Sequence, residues 1–265
     1  MRSVASEVRI VSISGSVVQA RRIGLIGGMS WHSTALYYER LNRAIEARTG
    51  RHHSFRGQVC NLDYADLLAA AEAGHWAQVE ATLAEAAAQL AAAGCEVIAL
   101  TAVTAHRWYD AVASAVPGTE VAHVLSATAT HLDAFGLGNV AVLGTSLACS
   151  SPFLDGYLAR GRMVLCPEAD DQRALDDLIQ NVLTNEGADD QARQRLEIIV
   201  QTMHRHGAEA VVLACTELPL LLPLTSPSVP VVDVVALHVD DLCDRIIPEL
   251  DRPCQIVPSP PSIIC

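Results

Sequence analysis

The sequence contains no lysine; all 18 residues in its Lys+Arg total are arginine. Set against 30 acidic residues they leave a net charge of −12. That balance argues against nucleic acid and anionic membrane surfaces as partners. No apolar run reaches the roughly 20 residues that a bilayer-spanning helix needs, so no membrane segment is expected. The first 20 residues lack the charged-then-apolar order and cleavage site of a signal peptide. Residues 1–21 therefore read as a tail, and the Pro-rich 251–265 as another. The eight cysteines show no zinc-type spacing, so no metal is expected. Cys60, Cys95, Cys166 and Cys243 sit inside apolar segments and read as reduced, buried thiols of a cytoplasmic protein. Cys254 and Cys265, in the Pro-rich tail, read as incidental.

What is present is an aliphatic, alanine-rich chain of 265 residues, 51% hydrophobic. That is enough for one large or two small cores. Short apolar runs, each long enough for a strand, fall at 23–26, 58–62, 97–100, 121–124, 163–166, 210–213 and 231–233, and within Gly138–Thr145. Helical periodicity occupies 33–48, 75–93, 108–116, 126–135, 152–160, 172–184, 192–206 and 235–247. Apolar strands alternating with helices are the pattern of parallel sheets buried on both faces. The strand-to-glycine run at Gly138–Thr145 restarts the pattern begun at Ile23. Two pseudo-symmetric α/β domains are therefore expected, with the active site in the cleft between them. The first takes residues 22–125 plus 225–250, and the second 126–224.

A gapless internal repeat supports that division. Gly94-Cys95-Glu96-Val97-Ile98-Ala99-Leu100-Thr101-Ala102-Val103-Thr104 aligns with Gly207-Ala208-Glu209-Ala210-Val211-Val212-Leu213-Ala214-Cys215-Thr216-Glu217. Each copy reads as a helix end, a glycine, a buried strand and a small polar cluster. At the strand tip one copy has Cys215 and the other Ala102. In parallel sheets ligands bind beyond the carboxyl ends of the strands. The clusters at Gly27–Ser30, Thr101–His106, Gly144–Ser146 and Cys215–Glu217 all lie there.

Each cluster has a chemical reading and a plain one. Gly27-Gly28-Met29-Ser30 between strand and helix offers backbone N–H groups to an anion. It lacks the spacing and the lysine of nucleotide loops, so a carboxylate is the expected ligand; the plain reading is a tight turn. A cysteine at a strand tip near backbone donors can have its pKa lowered and act as base or nucleophile; alone, such a cysteine is more often core packing. His106, His123 and His238 each suit polarising or orienting a cleft residue, or simply filling the core. Arg56 is a bidentate carboxylate ligand or an ordinary loop arginine.

Ile23-Gly24-Leu25-Ile26-Gly27-Gly28-Met29-Ser30-Trp31, Ser33-Thr34, Tyr37-Tyr38, Leu213-Ala214-Cys215-Thr216-Glu217-Leu218-Pro219 and Asp233 resemble the aspartate/glutamate racemase family. The resemblance runs from about Ile23 to Ile247. It implies cofactor-independent inversion at the α-carbon of a small carboxylate or amino acid, in a homodimer, with one acid/base residue on each face. Cys215 matches the second-domain acid/base. The first-domain motif, Cys/Thr-Asn-Thr followed by His, here reads Ala102-Val103-Thr104-Ala105-His106. Thr104 and His106 match and are expected to be catalytic with Cys215; the Asn position is Val103, expected against the substrate, and the acid/base position is lost at Ala102. Gly28, Met29, Ser30, Thr104, Thr145 and Thr216 are then expected around the α-carboxylate. Glu217 is expected beside the substrate, and Arg56 at the distal carboxylate of an acidic amino acid.

Racemisation needs an acid and a base on opposite faces, and Ala102 supplies neither. Thr101, next to it, should point to the opposite side of its strand. Three functions remain open. One is a racemase with a substitute residue or water. Another is a one-cysteine decarboxylase or isomerase, similar to the arylmalonate decarboxylases, in which a single cysteine protonates an enediolate. The third is a carboxylate-binding relative without catalysis.

Overall fold

The computed structural model describes residues 20–149, 154–183, 189–225 and 227–247. The expected tails, with Cys254 and Cys265, lie almost wholly outside these residues. Ala20 and Arg21 are the exceptions: Ala20 packs against the core, and Arg21 donates through its N–H to Ile246 O at 2.9 Å and through its guanidinium to Glu120 at 2.7 Å, so both are docked.

The described residues form two parallel four-stranded sheets. The first runs β2 (Gly57–Asn61), β1 (Ile23–Gly27), β3 (Val97–Leu100), β4 (Glu120–Ala122). The second repeats the order as β6 (Met163–Leu165), β5 (Asn139–Leu143), β7 (Ala210–Leu213), β8 (Val231–Asp233). The central strands β1, β3 and β7 are buried along their whole length, which is why they read as unbroken apolar runs rather than alternating ones.

Nine helices flank the sheets among the described residues: α1 (Trp31–Thr49), α2 (Tyr64–Glu72), α3 (Trp76–Ala92), α4 (Tyr109–Ala115), α5 (Val124–Ala134), α6 (Ser146–Cys149), α7 (Ala169–Asp177), α8 (Asp190–Arg205) and α9 (Val234–Ile246). α3 shows how sequence makes such a layer. Val79, Leu83, Ala86, Ala87 and Leu90 recur at helical spacing and are all buried. Leu90 packs so closely on β1 that a Cβ at Gly24 would lie 2.9 Å from it.

The sequence repeat is a structural repeat. Gly94 and Gly207 follow α3 and α8 with φ of 83° and 95°, the left-handed turn that glycine closes most easily. β3 and β7 begin at the same distance beyond them. Thr101 N–H donates to Ile26 O at 3.0 Å and Ala214 N–H to Leu143 O at 2.7 Å, so the two tips end in the same register. Ala102 and Cys215 come next and occupy equivalent places.

Several expectations change. β8 pairs with β7, Leu213 facing Asp233, so 225–250 does not join the first domain as a block. Its strand completes the second sheet, while α9 packs on α1 and α5. Asp233 explains the sharp switch: its carboxylate caps α9, accepting from Val235 and Ala236 N–H at 2.8 and 3.1 Å. α2 was not expected. Val124 opens α5 instead of ending a strand. The helix expected over 172–184 begins at Ala169 and passes into a wider π-helical turn at Leu178–Leu183. That expected over 152–160 is a π-helical turn at Asp155–Ala159, its start lying outside the described residues. None of the six described cysteines is in a disulfide; Cys95 and Cys243 are buried, but Cys60 is half-buried and Cys166 exposed. No described helix is long and apolar enough to cross a membrane.

Candidate active site

The strand tips of both sheets meet at a cavity of about 420 Å³. Met29 and Ser30 enter it from β1, Ala102 to Ala105 from β3, Thr145 to Leu147 from β5, and Cys215 to Glu217 from β7.

At the β7 tip the Cys215 thiol donates to Glu217 Oε2 at 3.0 Å, and the Thr216 hydroxyl donates to the same oxygen at 3.1 Å. All three residues are buried. Burial raises the thiol well above its ordinary value, and the Glu217 charge and hydrogen bond push the same way; backbone N–H groups of Glu217 and Leu218 oppose them. The expectation of a lowered thiol pKa is therefore overturned. The backbone donors are present, but desolvation beside a carboxylate outweighs them. At rest the thiol keeps its proton in the contact with Glu217.

Ala102 lines the cavity at the equivalent tip, 9% exposed, and brings only a methyl group. Val103 and Thr104 line it too. Thr101 does not: its hydroxyl donates to Ile26 O at 3.2 Å and lies 3.3 Å from Thr34 Oγ1, as strand alternation requires.

His106 is not at the cavity wall. It is 2% exposed, with Nδ1 3.0 Å from Ala102 O and Nε2 accepting from Val124 N–H at 3.3 Å. Burial pulls its pKa down to about 4, against weaker backbone contacts that raise it. A neutral ring with both nitrogens bonded to backbone fixes the Ala102–Thr104 turn rather than exchanging protons with a ligand. The expected catalytic role of His106 is therefore corrected to support. His123 caps α5 through Leu125 N–H at 3.1 Å, and His238 Nδ1 meets the Tyr37 hydroxyl at 2.9 Å; neither lines the cavity.

Fewer of the expected carboxylate donors are free than the sequence suggested. Gly28 must be glycine, with φ of 91° and Leu62 O only 2.0 Å from where a Cβ would stand. Its N–H, however, is taken by Thr34 Oγ1 at 2.9 Å, and the Thr216 proton by Glu217. Neither is free for a substrate. Ser30 is. It has a φ of 75°, unusual for a residue with a side chain. Its Oγ is buried without a hydrogen-bond partner, at the cavity wall and at the amino end of α1. The first N–H groups of a helix have no partner inside it; Ser30 stands beside them, and Thr104 and Thr145 line the same cavity.

Arg56 is a clear correction. β2 runs parallel to β1 with Gly57 beside Ile23, so Arg56 stands at the amino end of the sheet, exposed, with the strand's length between it and the tips. Conversely, Tyr64, Trp76, Trp108 and Asp176 line the cavity unannounced. Tyr64 opens α2 behind the N-cap Asp63, whose carboxylate accepts from Ala65 N–H at 3.0 Å. That Asp followed by an Ala/Leu run was the signal available. Burial raises the Tyr64 pKa, and the nearby Glu217 carboxylate adds to it. Among the described residues no group of His, Cys, Asp and Glu is placed to hold a metal.

The two-domain arrangement is shared with solved structures. A Yersinia pestis protein described as an Asp/Glu racemase is 29% identical, with a TM-score of 0.77 over 85% of this chain and 99% of its own. An aspartate racemase homologue from Pyrococcus horikoshii is 26% identical, with a TM-score of 0.72 over the same shares. The aspartate racemase of Picrophilus torridus, 24% identical, has the same fold with a TM-score of 0.71, over 85% of this chain and 94% of its own. The family model described as Asp/Glu/Hydantoin racemase matches residues 26–242, and this chain belongs to that family.

Proposed function

We propose that the protein is an enzyme that transfers a proton to the carbon beside a carboxylate, from one face only, with Cys215 as the acid. The observation that carries the reading is the pair of equivalent strand tips. One holds a buried thiol against Glu217, and the other holds Ala102. A thiol kept protonated suits delivery of a proton to a carbanion or enediolate. Taking a proton from substrate would require Glu217 to receive the thiol proton first, and the 3.0 Å contact allows that transfer. Ser30 and the amino end of α1 would hold the carboxylate, and Thr104 and Thr145 would flank it. His106 holds the Ala102 carbonyl and so the shape of the opposite wall. With no lysine in the sequence, no lysine amine is available to form a Schiff base with a carbonyl cofactor.

Two-faced racemisation is the second reading, favoured by Tyr64. It belongs to the first domain and lines the cavity with Cys215 and Glu217, so it would stand in for the missing residue. Proton exchange in deuterium oxide, followed by NMR and chiral chromatography, separates the readings. One-faced transfer gives deuterated product of one hand; racemisation gives both. Cys215→Ala should lose at least ~10²-fold in rate, with its circular dichroism unchanged. A variant that keeps more than a few per cent of activity would sink the assignment, and failure of the wild type to exchange or convert any carboxylate would leave a binding protein.

A further inference from the structure

The cavity has two unlike parts. The strand tips supply the polar part described above. The helices α2 and α3 and the turn at Thr104–Trp108 supply the rest: Tyr64, Leu67, Trp76, Val79, Leu83 and Trp108. Two of the chain's three tryptophans face this one cavity, in a protein only 4% aromatic. Their rings are roughly parallel, 29° apart, with centroids 6.1 Å apart. The volume is in the range, roughly 300–1,000 Å³, of pockets that enclose a whole small ligand.

Charge limits what can enter. Among the described residues no arginine or histidine lines the cavity, and the carboxyl side chains that do are Asp176 and Glu217. Arg107 is exposed and lies over the Trp76 and Trp108 rings at 5.3 and 5.9 Å, engaged with the aromatic faces. Arg56 is at the wrong end of the sheet. A substrate's second carboxylate would leave water for an apolar wall facing two acids, without a cation, which is strongly unfavourable. An aryl or branched alkyl group would instead gain by burying its surface against the leucines and tryptophans.

We infer that the substrate carries one carboxylate at the strand tips and a bulky apolar group, aryl or branched alkyl, in the α2–α3 pouch. Aspartate and glutamate are thereby excluded as good substrates. The inference rests on the reading of the strand tips as the reacting end, but its test does not depend on turnover. Phenylacetate and 4-methylpentanoate serve as unreactive probes of the pouch, and succinate as the probe of acidic recognition. Binding is read from the fluorescence of the cavity tryptophans and checked by calorimetry on the intact chain.

Phenylacetate should bind at least ~100-fold more tightly than succinate, and Cys215→Ala should bind it as well as wild type. That last arm separates the two readings: loss of catalysis with binding intact leaves the pouch assignment standing. Val79→Leu, which narrows the pouch, should weaken phenylacetate several-fold and leave acetate unchanged. If the variant unfolds, the wild-type comparison alone decides. Equal or tighter binding of succinate, or no binding of either apolar probe, would overturn the inference.

Discussion

At Cys215 and Ala102 a single atom type separates two equivalent positions, and the chemistry follows from it. The Ala102 methyl faces a cavity, so a thiol there meets space rather than packed atoms. Ala102→Cys should cost at most about 1 kcal/mol and place an acid/base group across from Cys215. With Val103→Asn added, racemisation of a bound carboxylate should appear or rise above wild type, read as loss of optical purity in deuterium oxide. No gain in a folded, ligand-binding variant would show that the first tip was never positioned for proton transfer. Glu217 sets the state of the other tip. Its charge raises the Cys215 pKa, so Glu217→Gln should shift the pH profile of Cys215 alkylation by iodoacetamide to lower pH. The Cys215→Ala variant subtracts the remaining thiols. A profile that stays put or moves upward would mean that burial alone holds the proton.

Among the elements, the repeat was legible because buried strands and their glycine stops leave a local pattern; β3 and β7 fall where the alignment of Gly94 with Gly207 puts them. Other features were not local. β8 lies close in sequence to α9 yet belongs to the other domain, a fact set by pairing with β7 that no periodicity records. The left-handed turn at Ser30 has no composition signal. Arg56 is different: a parallel sheet with its ligands at the carboxyl ends already placed a residue preceding β2 at the far end. Asp233 joins several of these levels. It ends β8, caps α9 through two N–H groups and pairs with Arg40 of α1 at 2.5 Å. Asp233→Ala should lower stability by about 2–3 kcal/mol, summing a lost cap and a partly buried ion pair. Urea denaturation measures it, and Asp233→Asn should restore about half by keeping the cap. A loss below about 0.5 kcal/mol would mean that α9 is held by packing alone.

Across the whole molecule the two domains are stitched by helices that cross over. α9 follows the second sheet and packs on α1, while α5 follows the first and packs on the turn at Asp155–Ala159. Three histidines gather at this seam. His106 and His123 have ring centroids 4.7 Å apart, His106 and His238 5.9 Å, and His123 stacks on Tyr157 at 3.8 Å. Burial holds all three neutral: His106 is pulled down to about 4 and His123 to about 3, the latter helped by His106, and His238 lies well below its usual range with Arg245 contributing. Each folded-state value lies below the unfolded one near 6.5, so the unfolded chain binds more protons as pH falls. The stability these histidines lend is complete above about pH 6.5 and drains away below it. At pH 5, one and a half units below 6.5, His106 alone should cost about 2 kcal/mol. Urea midpoints at pH 7.5 and 5 should therefore differ clearly, and the difference should shrink in His106→Gln, which cannot titrate. Because the cluster joins α1, α5 and α9, acid should loosen the seam that holds the two halves of the cavity together, so ligand binding should weaken along with stability. Midpoints that match at the two pH values would mean that water reaches the seam and that the histidines are not held neutral.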